Sequence, residues 1–281
     1  MSAMITQAFT CTGPFAILIM LGLKRIENRA DRPVPEKGRC AVSCSKSFAK
    51  EEYGNFVQWA SRTLSPDDFA LVPSWNEVRD WPGRIVGCCD YSVRGRNDLV
   101  LSSDEHVPQW DEGLDFFWDL SEIVCFDQPI SCRGNLGMWT LPPELAARVS
   151  AADRLAGCAG EKVSTAEDAA RIFREALPIA GTSEGFFVLP LDQECRVLSA
   201  PILVSLGTDS TTTVVSPGEV FAAALKLDAK SIVVAHNHPS GNVTPSLQDR
   251  RLTAELRSLG ETLGVRLLDH LVVGKVDFAV C

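Results

Sequence analysis

The chain has 281 residues, of which 46% are hydrophobic and 22% are charged, and its formal net charge at pH 7 is −9. A chain of this length can form one large domain or two ordinary ones, and its composition is that of a globular protein. Nonspecific nucleic-acid affinity comes from lysine and arginine neutralising phosphates, so the acidic balance argues against a broad nucleic-acid-binding surface and leaves room only for a local basic patch.

The spacing of the cysteines indicates whether the chain forms disulfides and whether its cellular compartment is oxidising or reducing. Their spacing is irregular for a disulfide framework, and a chain of this size does not need one. We therefore predict a reducing, cytoplasmic location. No Cys-x-x-Cys pair supports a zinc site built from these thiols. The ten cysteines are Cys11, Cys40, Cys44, Cys88, Cys89, Cys125, Cys132, Cys158, Cys195 and Cys281.

The first residues, Met1–Leu23, contain no charged side chain, and Phe15–Leu23 is almost entirely apolar. A secretory signal peptide would have a positive region ahead of the apolar stretch, and this segment has none. A membrane-spanning helix needs about twenty apolar residues, whereas polar residues and Pro14 interrupt this run. We expect a buried helix or strand here, and a membrane anchor is the less favoured alternative.

Residues 1–155 are predicted to form a tryptophan-rich domain whose family the sequence does not reveal. Glu27–Ser47 is polar and rich in breakers, which indicates a loop, and Phe48–Leu64 is predicted to be a helix. Asp111–Asp119 mixes carboxylates with aromatic residues and is interpreted as a solvated acidic edge beside a core segment. The tryptophans are interpreted as core anchors, and all six lie in this region: Trp59, Trp75, Trp81, Trp110, Trp118 and Trp139.

A glycine-containing segment separates this region from a second predicted domain. Leu141–Leu155 has the alanines and the starting prolines of a helix, and residues 156–162, with Gly157 and Gly160, are the best linker candidate. Residues 163–281 then alternate between capped helices and apolar strands. This alternation favours an α/β fold in which helices pack against a sheet.

The predicted helices of the second domain begin at recognisable caps. Ser164 with Glu167, and Ser216 with Glu219, have the spacing of a capping box, and Pro217 suits the first turn of a helix. The predicted strands are Gly185–Leu191, Arg196–Leu206, Ser231–Ala235 and Val265–Val273, and the predicted helices include Ala169–Leu177 and Leu247–Leu259.

Two histidines, His236 and His238, follow directly on the predicted strand Ser231–Ala235. Residues two apart on a strand point to the same face, so both imidazoles can reach one point. A turn-forming stretch then leads to Ser246, the predicted N-cap of a helix, which places Asp249 in the first helical turn. Three protein ligands would leave a fourth position open on a tetrahedral metal, as in a catalytic zinc site.

Each of these residues also has an ordinary structural interpretation. An acidic residue at the third position of a helix is common for capping and dipole reasons alone. A lone histidine is more often packed than bound to a metal. The joint pattern favours the metal, because the chain has only four histidines, two of them share one tripeptide, and histidine is the commonest metal ligand.

The wording of this stretch resembles a known family. His236-Asn-His-Pro-Ser-Gly241, followed by Thr244-Pro-Ser-x-x-Asp249, is similar to the signature of the JAB/MPN (JAMM) metalloproteases and specifically to its RadC branch. The flanking sequences Gly207-Thr-Asp-Ser210 and Leu268-Asp-His-Leu271 agree with it. The resemblance covers about Ser164–Ala279, under half of the chain.

The resemblance implies a JAB/MPN-type sheet flanked by helices and a zinc-dependent metallohydrolase, either a peptidase or an isopeptidase. It implies that His236, His238 and Asp249 hold Zn²⁺ while a glutamate on the first strand acts as general acid/base. Glu184 matches that position better than Glu194 does. The expected partner is a protein or peptide substrate, with neither broad nucleic-acid binding nor a membrane.

Two more positions match the family. The motif serine, Ser246 here, helps to hold the oxyanion in relatives, although capping explains it equally well. His270 is interpreted as a buried residue that supports the ligands or the core. Where relatives usually carry His-Pro-Arg-Glu, this chain has Ser216-Pro-Gly-Glu219, a change that would weaken substrate positioning or the helix start.

Two alternatives stay open at this point. One is a non-catalytic binding or DNA-repair-associated protein that keeps the RadC fold. The other is a metal-dependent nuclease, against which the acidic net charge of −9 weighs. The sequence defines neither the substrate nor the oligomeric state.

Overall fold

The structure, a computed structural model, describes residues 4–29, 33, 35–95, 116–207 and 215–281. The chain divides into two compact units, Met1–Val149 and Ser150–Cys281. This division falls inside a helix, Pro143–Leu155, earlier than the linker predicted at 156–162. That segment starts with a short 3-10 helix whose Cys158 is buried in the core of the second unit.

A sheet of six strands forms the frame of the first unit in the described residues. Its strands are β1 (Gln7–Cys11), β2 (Ile26–Arg29), β3 (Lys37–Cys44), β4 (Arg84–Gly95), β5 (Phe116–Ser131) and β6 (Met138–Thr140). They lie in the order β2-β5-β4-β3-β1-β6. β1 and β3 are parallel, and the other neighbours are antiparallel.

Helices accompany this sheet, and the first of them is the apolar N-terminal segment. The helices of the first unit are α1 (Gly13–Met20), α2 (Lys50–Thr63), α3 (Pro66–Ala70) and α4 (Trp75–Val78), and the division between the units falls inside α5 (Pro143–Leu155). α1 has Thr12 as its N-cap, a proline in its first turn, and Ile17, Leu18 and Ile19 fully buried, so the predicted buried helix is present. No helix within the described ranges is both long and apolar enough to cross a membrane.

The interpretation of Glu27–Ser47 as a loop is wrong. The end of β2 and all of β3 lie in it, and Cys40 and Cys44 are buried at 0% and 1% exposure. Cysteine behaves as a small hydrophobic residue, so β3 has more apolar character than its polar neighbours suggest. Its pairing with β1 and β4 is a long-range contact that local composition does not reveal.

The tryptophans of the first unit differ in their burial. Trp81 and Trp118 are buried, as expected of core anchors, whereas Trp59 on α2 is 37% exposed. Trp110, and residues 111–115 of the predicted acidic edge, lie outside the described residues. The rest of that segment opens β5, where Trp118 contacts Phe9 edge to face with ring centroids 5.7 Å apart.

The second unit alternates helices and strands as predicted. Its helices are α6 (Ala166–Ala180), α7 (Pro217–Leu225) and α8 (Leu247–Leu263), and its strands are β7 (Gly185–Leu191), β8 (Ile202–Leu206), β9 (Ser231–His236), β10 (Arg266–Val273) and β11 (Phe278–Val280). The strand order is β11-β10-β9-β7-β8. β9 and β10 are parallel, and the other neighbours are antiparallel.

Helices cover both faces of this second sheet, which confirms the predicted α/β class. Alternate residues of a strand point to opposite faces: Phe187 and Val233 pack into the core under α6, while Phe186 and Val234 pack with α7 and α8. His236 continues the series of Val234 at the end of β9. Its side chain therefore lies on the α8 face of the sheet.

Two boundaries and one cap differ from the prediction. The capping box of α6 is formed by Thr165 with Asp168, one residue later than Ser164 with Glu167, because Asp168 accepts hydrogen bonds from the Ser164 and Thr165 amides. The side chain of Ser216 makes no capping hydrogen bond, although α7 begins there with Pro217. The strand predicted over Arg196–Leu206 is shorter, with β8 starting at Ile202.

The end of α8 also lies later than predicted. Gly260 does not stop the helix, because it gives room for a close approach: a Cβ there would lie 2.5 Å from the carbonyl oxygen of Val265. The helix ends at Gly264, whose φ of 71° is left-handed, the conformation that glycine adopts most easily.

Candidate metal centre

The three predicted ligands meet at the corner where β9 ends and α8 begins. Ligand atoms of His236, His238 and Asp249 all lie within 4.8 Å of one another. The Nε2 atoms of the two histidines are 3.1 Å apart. Asp249 Oδ1 lies 3.3 Å from Nε2 of His236, and its Oδ2 lies 3.6 Å from Nε2 of His238.

These separations have the size that a tetrahedral zinc site requires. With zinc–nitrogen and zinc–oxygen distances of about 2.0–2.1 Å, neighbouring ligand atoms lie about 3.3 Å apart. The Nε2–Nε2 distance of 3.1 Å and the 3.3 Å between Asp249 Oδ1 and His236 Nε2 are close to that value, and the other carboxylate oxygen, Oδ2, lies 3.6 Å from His238 Nε2. The donor set of two imidazoles and one carboxylate therefore fits zinc in both chemistry and spacing.

Hydrogen bonds fix which nitrogen of each histidine faces the centre. Nδ1 of His238 lies 2.7 Å from the carbonyl oxygen of Asn242. A carbonyl oxygen can only accept, so Nδ1 carries a proton, and in the tautomer with its single proton there Nε2 has the lone pair. The main chain of the loop thus sets the tautomer of His238 that a metal needs.

A longer chain of hydrogen bonds does the same for His236. The hydroxyl of Thr253 donates to the carbonyl oxygen of Asp249 at 2.6 Å and lies 2.7 Å from Nδ1 of His270. Because the Thr253 hydroxyl has a single proton and donates it to Asp249, it can only accept a hydrogen bond from Nδ1 of His270. His270 Nε2 then accepts from Nδ1 of His236 at 2.9 Å, which leaves the lone pair of His236 Nε2 for the centre.

Burial supports this assignment. His270 is 0% exposed, and burial, reinforced by His236, lowers the pKa of His270 to about 3. The ring is therefore neutral at neutral pH, with one nitrogen that donates and one that accepts. Phe186 covers the other side of His236, stacked at 11° with centroids 6.0 Å apart.

Asp249 serves the helix and the centre at once. The amide of Ser246 donates to Asp249 Oδ2 at 2.6 Å, and the Ser246 hydroxyl accepts from the Asp249 amide at 3.1 Å, which is the predicted capping box. Burial raises the pKa of the Asp249 carboxyl, but its contact with His236 and the hydrogen bonds that it accepts from Ser246 outweigh burial and hold the pKa well below its usual value. The group is ionised at neutral pH.

Glu184 lies at the same end of the sheet. It is half-buried, directly before β7, whose Phe186 pairs with His236 on β9. Its carbonyl oxygen accepts from the amide of Gly207 at 2.8 Å. Glu194 lies beyond the opposite end of β7, where Leu191 pairs with Ser231, so the topology brings Glu184 and not Glu194 to the histidine end.

Asn237 connects that glutamate to the histidine loop. Its Oδ1 accepts from the amide of Gly185 at 2.9 Å, and its Nδ2 donates to the carbonyl oxygen of Ser183 at 3.1 Å. The two bonds flank Glu184. Sequence reasoning assigned no role to Asn237 or Thr253; the spacing of Thr253 four residues after Asp249, one helical turn, is the signal that could have found it.

Comparison with known proteins agrees with the resemblance for part of the chain. Residues 163–280 match the family model of the RadC-like JAB domain. A UPF0758 protein of Chlorobaculum parvum is 38% identical over 125 residues, which cover 44% of this chain and 55% of that protein. A UPF0758 protein of Rubrobacter xylanophilus is 42% identical over 97 residues, covering 34% of this chain and 42% of that protein.

A third relative behaves similarly. A UPF0758 protein of Actinobacillus pleuropneumoniae is 45% identical over 95 residues, covering 34% of this chain and 42% of that protein. The chain spans about half the length of the curated relatives that it matches. The resemblance to the RadC branch predicted from the His236–Asp249 stretch is therefore confirmed for residues 163–280, which match the RadC-like JAB domain.

Proposed function

We propose that the RadC-like JAB domain of residues 163–280 is a zinc-dependent metallohydrolase, a peptidase or isopeptidase, whose metal is held by His236, His238 and Asp249. One observation carries the proposal. The Nε2 atoms of the two imidazoles and the carboxylate of Asp249 converge on one point, with 3.1–3.6 Å between their nearest atoms. A metal cation at that point would be within reach of all three side chains.

The ligand set favours a catalytic over a structural metal. Structural zinc sites have four protein ligands, whereas a set of three leaves a position for water or substrate. Zinc bound there would supply Lewis acidity and a water of pKa near 7. The chain's own contribution is to hold the two Nε2 lone pairs in place through Asn242 and His270.

Glu184 is proposed to handle the protons. A half-buried carboxylate at the histidine end of the sheet is suited to take a proton from the attacking water and deliver it to the leaving amine. The register Phe186 to His236 supports this role, since it sets Glu184 at the histidine end of β7. Ser246 is proposed to help hold the substrate's oxyanion, because the family resemblance gives this role to the motif serine and Ser246 lies beside Asp249 at the start of α8.

The proposed partner is a protein or peptide in a cytoplasmic setting. One experiment distinguishes this proposal from the two alternative functions. These are a non-catalytic binding or repair-associated protein and a metal-dependent nuclease. The purified full chain, loaded with zinc, is assayed on casein-derived peptides, on an isopeptide-linked lysine substrate and on DNA, each with and without chelator.

Hydrolysis of a peptide or isopeptide bond that the chelator abolishes supports the proposal. The double variant His236→Ala, His238→Ala is the matched control and should be inactive. Chelator-sensitive cleavage of DNA alone would replace the peptidase by a nuclease, and turnover of none of the substrates would favour the non-catalytic reading.

A further inference from the structure

A cavity of about 440 Å³ lies in the second unit next to His238. It opens between the C-terminal end of α6, the histidine loop and the turn that joins β10 to β11. Leu177, Pro178 and Val273 give it an apolar lining. Its volume is within the range of ligand-binding pockets, about 300–1,000 Å³.

The charge of this cavity is opposite to that of the protein. Arg174 and Lys275 line it, and no aspartate or glutamate is among its described lining residues, while the whole chain carries −9. Arg174 is fixed in place by an ion pair with Glu167 at 2.9 Å and by the ring of Phe278. Lys275 is exposed and makes no ion pair within the described ranges, so its charge is available to a ligand.

We propose that this cavity binds a carboxylate-bearing residue of the peptide substrate, next to the bond that is cut. The inference rests on the proposed function, because a group in this cavity lies beside the scissile bond only if His238 holds the metal. An apolar lining with cations accommodates the carbon chain of an acidic residue and pairs its carboxylate. The carboxylate comes from an Asp or Glu side chain or from a peptide C-terminus.

A binding measurement tests this without any turnover. Fluorescein-labelled hexapeptides are titrated with the zinc-loaded full chain and followed by anisotropy. One peptide has a central glutamate and an amidated C-terminus, the second has glutamine in its place, and the third has glutamine and a free C-terminal carboxylate. An exposed charge pair contributes up to about 1 kcal/mol, so a carboxylate peptide should bind about five-fold more tightly than the neutral one.

The variant Lys275→Glu should abolish or invert this preference, and raised salt should weaken it. Lys226→Glu is the matched control, since Lys226 is exposed and outside the cavity lining, and it should bind like the wild type. Equal binding of all three peptides, no binding of any, or an unchanged preference in Lys275→Glu would overturn the inference. Catalytic failure in the separate hydrolysis assay would instead overturn the proposed function.

A second inference follows from the hydrogen bonds of Asn237. Its amide group bonds the carbonyl oxygen of Ser183 and the amide of Gly185, on either side of Glu184. The backbone pairing of β7 with β9 ends at Phe186 and His236. The two hydrogen bonds of the Asn237 side chain therefore continue the pairing of β7 with β9 beyond its last backbone pair, at the position of Glu184.

We infer that Asn237 is a positioning residue that holds Glu184 beside the two histidines. Since Asn237 separates the two histidines in sequence, any movement of the loop moves the glutamate with it. A carboxylate displaced by about 1 Å can lose about 10²-fold in rate. Zinc affinity should be unaffected, because Asn237 touches neither imidazole through these bonds.

Hydrogen exchange and kinetics test this together. In Asn237→Ala the amide of Gly185 should exchange at least ten-fold faster than in the wild type. The value of kcat should fall by about 10–100-fold, while KM and zinc content stay the same. Asn237→Asp keeps the acceptor for Gly185 and loses the donor to Ser183, so Gly185 should stay protected while kcat still falls. Asn55→Ala, on the exposed side of α2, is the control.

Unchanged exchange at Gly185, or an unchanged kcat beside faster exchange, would overturn this inference. If the wild type hydrolyses nothing, the proposed function fails, and the exchange rate alone decides whether Asn237 fixes this part of the backbone.

Discussion

Nδ1 of His236 lies 2.9 Å from Nε2 of His270, and both rings are buried. Only one proton lies between them, and Thr253 decides its position, since its hydroxyl donates to the Asp249 carbonyl and can only accept from His270. A helix backbone group thereby determines, through two side chains, which nitrogen of His236 faces the candidate metal centre.

This chain of bonds makes a first prediction about zinc affinity. Thr253→Val keeps the shape of the side chain and removes the hydroxyl, so the tautomer of His270 is no longer set. We expect zinc affinity to fall by about 10–100-fold, measured by competition with a chromophoric chelator. Thr262→Val, on the exposed side of the same helix, should bind zinc like the wild type. Equal affinities in both variants would count against the relay.

Zinc content gives the second prediction. The full chain, purified without chelator, should contain about one zinc per chain, because one set of three ligands with an open position is present in the described residues. Elemental analysis should show its loss in the double variant His236→Ala, His238→Ala. The same zinc content in wild type and double variant would place the metal elsewhere.

The third prediction separates proton transfer from metal binding. Glu184→Gln keeps the size and hydrogen-bonding reach of the side chain but cannot accept a proton at neutral pH. Its zinc content should equal that of the wild type, and its rate of peptide hydrolysis should fall by about 10²–10⁴-fold. Glu194→Gln, beyond the opposite end of β7, is the matched control and should keep full activity. A Glu184→Gln variant as fast as the wild type would remove Glu184 from the mechanism.

A fourth prediction concerns pH in the metal-free protein. The pKa of His270 is lowered from 6.5 to about 3 by burial and by His236. Between these values the unfolded chain binds a proton that the folded domain does not, so the free energy of unfolding falls as the pH drops from about 6.5 to about 3. The loss attributable to His270 is at most about 5 kcal/mol.

Denaturant titrations at several pH values, in chelator, measure this loss. His270→Gln should be less stable than the wild type near pH 7 and should show a shallower decline down to pH 4. Parallel stability curves for the two proteins would show that His270 does not titrate in this window.

The fifth prediction concerns packing beneath α8. A Cβ on Gly260 would lie 2.5 Å from the Val265 carbonyl oxygen and 3.2 Å from the Phe221 ring. Gly260→Ala should therefore destabilise the second unit by about 1–3 kcal/mol, the usual cost of overpacking. Gly54→Ala meets no atom within 4 Å and should be neutral or slightly stabilising in helix α2. Thermal unfolding of the two variants distinguishes these outcomes.

The local part of the candidate site could be predicted from the sequence. A strand ending in His-x-His and a helix capped by Ser246 are short-range features, and two-residue and helical periodicities place their side chains. The contacts of Thr253, His270 and Asn237 join segments far apart in the chain. No local pattern specifies which of several polar residues meets a given histidine.

In the first unit, one element could be predicted from the sequence and another could not. The burial of α1 was predictable because the apolar run Phe15–Leu23 is stable only when it is removed from water. β3 was not, since Lys37–Cys44 is held by β1 and β4 on either side, and its polar start resembles a loop. The shift of the α6 cap from Ser164 to Thr165 has a similar origin: either hydroxyl suits a cap, and one residue of helix register decides between them.

The double role of Asp249 bears on how related sequences are to be interpreted. The helix alone requires an acidic residue there, because Ser246 and Asp249 complete each other's hydrogen bonds at the start of α8. A descendant that had lost its metal would therefore still keep the serine and the aspartate. Within the described residues, the structural contact of His238 outside the candidate centre is its hydrogen bond to the Asn242 carbonyl, and it caps no helix. In a family survey, loss of that histidine would mark an abandoned centre, while persistence of the aspartate would say nothing.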